Sequence, residues 1–103
     1  MPVTIRQLEW ASGFLEGEGC FRRYNNRTGY EVTARQNDGE VLDKLQNLFG
    51  GHRSTIDTRS NKLSKRPTIE CWSVTGPKAR GVMMTLFSLM SRHRKDQIKR
   101  ALA

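Results

Sequence analysis

Apolar residues along this chain recur first at helical spacing and then at strand spacing, and the sequence is read from those changes of period. Ile5, Leu8, Ala11, Ser12 and Leu15 fall on one face of a helix, and Trp10 and Phe14, four apart, form a second stripe beside it. Thr4-x-x-Gln7 has the pattern of a capping box, in which each side chain satisfies a free backbone N–H at the other position. From Gly19 the period shortens to two. Gly19 to Tyr24 and Tyr30 to Gln36 read as the strands of a hairpin, joined by the turn Asn25-Asn26-Arg27-Thr28-Gly29. Asn37-Asp38 caps a second helix, Gly39 to Phe49, with Val41, Leu42, Leu45, Leu48 and Phe49 as its stripe and Gly50-Gly51 at its end. His52 to Thr58 and Thr68 to Val74 read as two more strands. Thr75-Gly76-Pro77 opens a third helix that buries Ala79, Val82, Met83, Leu86, Phe87 and Met90. A short final helix is expected in the basic segment Arg92 to Arg100, after Ser91.

The predicted fold is therefore α+β, in the order αββαββα, with a four-stranded antiparallel sheet covered by helices on one face. The other face is left open. In the first hairpin Tyr30, Val32 and Ala34 point one way, with Phe21, and Glu31, Thr33 and Arg35 the other. Cys20, Arg22 and Tyr24 share a face with Glu18 by the same counting. Alternation in the third strand is expected to add Arg53, Thr55 and Asp57 to the open face. A helix apolar on two sides, as the first one is, wants two partners: its own sheet and the same helix of another subunit.

At 103 residues the chain is read as one domain, residues 1–103, with a single modest core. Composition changes the picture mainly through charge. A net charge of +8 points to a polyanionic partner and suits a polar, basic sheet face that lies in a DNA groove. Asn26 in the hairpin turn extends that surface. So does the segment Arg59 to Pro67, whose Arg59, Lys62, Lys65 and Arg66 bring four positive charges and no acid, and which can meet a phosphate backbone. Cys20 and Cys71 form no CxxC pattern or disulfide framework. No apolar run approaches the ~20 residues of a membrane span and no signal peptide is recognisable. The expected setting is cytoplasmic or organellar rather than secreted, with no membrane partner.

The stretch Trp10 to Phe21 carries the chemistry. Its helix end is rich in small residues, which lets another backbone approach closely. It also holds Glu16 and Glu18, each followed by glycine, where the negative end of the helix dipole disfavours acids. A metal ion between them is one explanation of such a pair. Ala11-Ser12-Gly13-Phe14-Leu15-Glu16-Gly17-Glu18-Gly19 resembles the motif that names the LAGLIDADG homing endonucleases, with Ala11 in the leucine slot, Ser12 in the alanine slot and Glu in both acid slots. The resemblance implies the homing-endonuclease fold, a saddle-shaped sheet, and a metal-dependent DNA double-strand cleavage. It implies that Glu18, with the Gly17 backbone, binds magnesium or manganese, and that Glu16 caps or braces the packed helix ends. It further implies that Gln36, followed by Asn37-Asp38, positions the attacking water. A basic residue late in the chain, Arg94 or Lys95, would serve the active site.

One motif cannot cut two strands, and single-motif members of the family pair as homodimers on near-palindromic sites. Leu8, Ser12, Gly13, Glu16 and Gly17 are the expected interface. The expected partners are double-stranded DNA and a second copy of the chain, with no small-molecule cofactor besides the metal. A cleavage-inactive DNA- or RNA-binding protein of the same fold, a maturase or regulator, is the alternative. A small ribosome-associated RNA-binding protein would explain the charge but not the acid pair.

Overall fold

A computed structural model of the chain describes residues 3–24, 29–57 and 68–103. Helix α1 spans Ile5–Glu18, strand β1 Gly19–Tyr24, β2 Gly29–Gln36, helix α2 Gly39–Phe49, β3 His52–Asp57, β4 Thr68–Thr75, α3 Gly76–Leu86 and α4 Arg92–Leu102. A single 3-10 turn, Phe87–Leu89, joins the last two helices. The α+β order predicted from periodicity is observed, and all strand pairs are antiparallel, in the order β1-β2-β4-β3.

Local chemistry explains most boundaries. The Thr4–Gln7 capping box is formed in both directions, at 2.8 and 3.2 Å, an arrangement whose cap alone is worth about 1 kcal/mol. The carboxylate of Asp38 accepts from the Glu40 N–H at the start of α2. α2 ends at Gly50 and Gly51, both with positive φ (73° and 98°). A Cβ on Gly51 would meet the Ser73 carbonyl oxygen at 2.5 Å, so this turn needs glycine for space as well as for conformation. It brings the Gly50 carbonyl under Trp72, whose indole N–H donates to it at 2.9 Å. α1 runs three residues beyond Leu15, and only at Gly19 does the backbone turn extended.

The core lies between the sheet and the helices. Phe21, Val32, Ala34, Trp72 and Val74 come from the sheet, and Ala11, Leu15, Leu42, Leu45, Ala79, Met83, Leu86, Ile98 and Ala101 from the helices. The basic C-terminal segment is an eleven-residue helix, docked through Ile98 and Ala101 rather than solvated. Trp10 and Phe14 stack on each other, centroids 5.9 Å apart, and pack at the margin of this core. Among the described residues no helix is long and apolar enough to cross a membrane.

One alternation runs opposite to expectation. Arg53 lies directly across from Trp72, so it points to the helix side of the sheet. Its guanidinium binds the Gly39 carbonyl, the Cys71 carbonyl, Asp43 and the Glu70 carboxylate, and Thr55 donates to the same Glu70. The backbone register of Asp57, opposite Thr68, continues that alternation. The open face of β3 instead carries Ser54 and Ile56. The strand His-Arg-Ser-Thr-Ile-Asp has polar residues on both faces, and the charge network on the α2 side decides which face turns inward.

Candidate active site and nucleic-acid interface

Two acids two residues apart meet different fates at the end of α1. Glu16 turns toward α4, where its carboxylate accepts from the Ser91 backbone N–H (2.7 Å) and the Ser91 hydroxyl (2.6 Å). Ser91 is the N-cap of α4 but caps nothing with its own side chain, so Glu16 supplies the cap from another element. The Ser91 hydroxyl bond, then the Ser91 backbone bond, hold the Glu16 carboxyl below its ordinary value despite some desolvation. Arg94 donates to the Glu16 backbone carbonyl at 2.9 Å and to Gln97 at 2.9 Å, and Gln97 accepts from the Phe21 N–H at 3.1 Å. That last bond satisfies a donor on the exposed edge of β1. It also leaves the Gly17 carbonyl without the N–H that a continued helix would have given it.

Glu18 points the other way. It is exposed, and it lines a groove on the open face with Cys20, Arg22, Glu31, Thr33, Arg35, Ser54, Ile56, Cys71 and Ser73. Directly paired residues of antiparallel strands point to the same face, so the register sorts this surface into transverse rows. Arg35, Cys71 and Ser54 form one row, and Glu18, the last residue of α1, lines the same groove. The next row is Cys20, Thr33, Ser73 and His52, and the one after is Arg22, Glu31 and Thr75. Arg22 and Glu31 are ion-paired at 2.6 Å. On the other flank of the Arg35–Cys71–Ser54 row lies the pair Ile56–Ile69.

The groove thus gathers Glu18, Cys20, Arg22, Glu31, Thr33 and Arg35 as expected of the first hairpin. Tyr24 continues the β1 backbone, and its side chain lies outside the described residues, as do Asn26, Arg59, Lys62, Lys65 and Arg66. Three expected active-site neighbours are placed elsewhere. Gln36 follows the alternation of Val32 and Ala34, pairs with Glu70 and is not among the groove-lining residues. Arg94 reaches the end of α1 but is engaged by Glu16 and Gln97. Lys95 sits 5.7 Å from the centre of the Phe87 ring, a cation–π contact on the far side of α4. Arg35, a groove residue by alternation alone, is a cation lining the same groove as Glu18.

Of the expected interface residues, Gly13 and Gly17 are exposed, with nothing within 4 Å of a Cβ built on either. Ser12 is buried and its hydroxyl donates to the Glu9 carbonyl, Leu8 packs against the core of its own chain, and Glu16 is committed to Ser91. Gln97 and Ser91 were not expected to matter. Nothing in their local pattern marks them, since each acts on a residue more than seventy positions away.

Glu18 and the Gly17 carbonyl are hard oxygen donors, which fits magnesium or manganese rather than a soft metal. Among the described residues no three His, Cys, Asp or Glu side chains cluster as a metal site.

Neither a protein-family model nor a curated protein sequence matches the chain. Its structure is similar to the crystal structure of the homing endonuclease I-CvuI in complex with its target (Sro1.3) in the presence of 2 mM Ca, with a TM-score of 0.66 at 18% sequence identity. The match covers 91% of this chain. The chain has the homing-endonuclease fold. It spans 62% of the length of the I-CvuI chain.

Proposed function

We propose that this protein is a sequence-specific, metal-dependent DNA endonuclease that acts as a homodimer on a near-palindromic site. The observation that carries this reading is Glu18: an exposed carboxylate, at a helix end that disfavours it, lining the same groove as Arg35. A protein that only holds a polyanion gains nothing from an acid there.

Glu18 and the Gly17 carbonyl would hold magnesium or manganese. Such an ion, when bound, stabilises charge on the scissile phosphate and lowers the pKa of a water. Arg35 adds positive charge beside the phosphate, and the hydroxyls of Thr33, Ser54 and Ser73 offer hydrogen bonds to base edges or backbone. Each protomer brings one Glu18, so two strand cuts call for two copies, and two-fold protein symmetry calls for a near-palindrome. The exposed Gly13–Gly17 strip of α1 is where a second α1 would approach, its backbone unobstructed by side chains.

A binding protein without cleavage is the second reading. It is favoured by Gln36 lying outside the groove and by Arg94 being spent on Glu16. The test begins with duplexes selected for binding from a randomised pool. The enzyme reading expects these to be cut in magnesium or manganese, spared in EDTA, and bound but uncut by Glu18→Gln. Binding without cleavage in either metal establishes the second reading. Failure to enrich any duplex overturns both.

A further inference from the structure

Ile56 stands out on the groove surface. Four large hydrophobic side chains are exposed among the described residues, Ile5, Ile56, Met84 and Leu89, and of these only Ile56 (37% exposed) lines the groove. It pairs across strands with half-buried Ile69, beside the row of Arg35, Cys71 and Ser54 in the groove that Glu18 also lines. The other groove rows carry charges, hydroxyls and thiols.

An isoleucine pair has no favourable contact to offer phosphate or sugar oxygens. In the major groove the apolar group displayed on base edges is the 5-methyl of thymine. Successive rows on one sheet face lie two residues apart, about 6.8 Å. That is roughly two base-pair steps at about 3.4 Å each. On the reading that the groove holds duplex DNA, we infer that Ile56, backed by Ile69, is a specificity-determining contact to thymine methyl groups, within about two base pairs of the position facing Arg35. Each half-site therefore carries A·T pairs beside the cleavage position. The opposite end of the groove, under the Arg22–Glu31 ion pair, is read by polar contacts instead.

Removing a single methyl tests this directly. Duplexes selected by the full chain in magnesium-free buffer are resynthesised with deoxyuridine for thymidine at the inner positions. Burial of one methyl is worth about a fourfold change in affinity. The wild-type protein is expected to bind the uracil duplex about fourfold more weakly than its thymine parent. The Ile56→Thr, Ile69→Thr variant, which keeps β-branched side chains in both strands, should bind the two duplexes equally. Selected sites without an A·T preference at the inner positions would overturn the assignment, as would a uracil penalty undiminished in the variant. In either case the DNA reading would survive. A chain that selects no duplex at all removes the DNA reading together with the assignment.

Discussion

Replacing Glu16 by alanine separates the structural acid of the motif from the one facing the groove. The substitution removes both bonds to Ser91, the N-cap residue of α4. A hydrogen bond is worth about 1 kcal/mol net, and a negative charge at a helix N-terminus adds about 0.3–1 kcal/mol. The Glu16 side chain is 37% exposed, so solvent screens its ion pair with Arg94 at 4.0 Å, and that pair adds little. The expected loss at pH 7 is about 1–2 kcal/mol, or about 1 M in the urea midpoint at a slope near 1.5 kcal/mol/M. The sign of the pH dependence follows from the lowered folded-state pKa. The carboxylate's contribution is complete above the ordinary value of 4.5 and is lost as pH falls through the lower folded value. The gap between wild type and Glu16→Ala should therefore be constant from pH 7 down to about 5 and shrink in more acid solution. Urea melts at a series of pH values measure it. A gap equally wide well below pH 4.5 would mean that charge is not what α4 uses. No gap at pH 7 would mean that Ile98 and Ala101 dock the helix without its cap.

Glu18→Gln should behave oppositely, abolishing metal-dependent cleavage while stability stays within about 0.5 kcal/mol, because the side chain is exposed; a thermal melt paired with a cleavage assay reads both. Gly13→Leu should convert a dimer to a monomer in sedimentation analysis. Its monomer should be slightly more stable, by up to about 1 kcal/mol, since leucine outranks glycine in a helix and nothing obstructs it there. Arg53→Leu should cost about 1–3 kcal/mol in chemical denaturation, because it strips Glu70 of its cation. Asp43→Asn, which touches the same guanidinium from an exposed position, should cost under about 0.5 kcal/mol.

Much of the fold could be read from the residues. The Thr4 capping box, the glycine pair after α2 and the clean alternation of Val32 and Ala34 against Thr33 and Arg35 are local signals, and each is realised. The third strand misled because parity alone does not say which face of a polar edge strand turns inward, and Arg53 answers to Asp43 and Glu70 on other elements. Of the candidate site, the exposed acid Glu18 was legible at the helix-to-strand junction. Arg94, read with Lys95 as a basic residue serving the site, gives its guanidinium to the Glu16 carbonyl and Gln97, which no spacing in a basic run could reveal.

The sequence alone determined the order of elements, the basic character of the surface and the presence of two acids at a helix-to-strand junction. Those properties reside in neighbouring residues and in composition. Only the tertiary structure decided that Glu16 caps a helix seventy-five positions away while Glu18 opens onto the groove. It also decided that Arg35 lines the groove with Glu18, and that Ile56 rather than Arg53 faces outward. These are pairings across the sheet and between packed elements, and hydrogen-bond satisfaction selects among them only once distant segments are side by side.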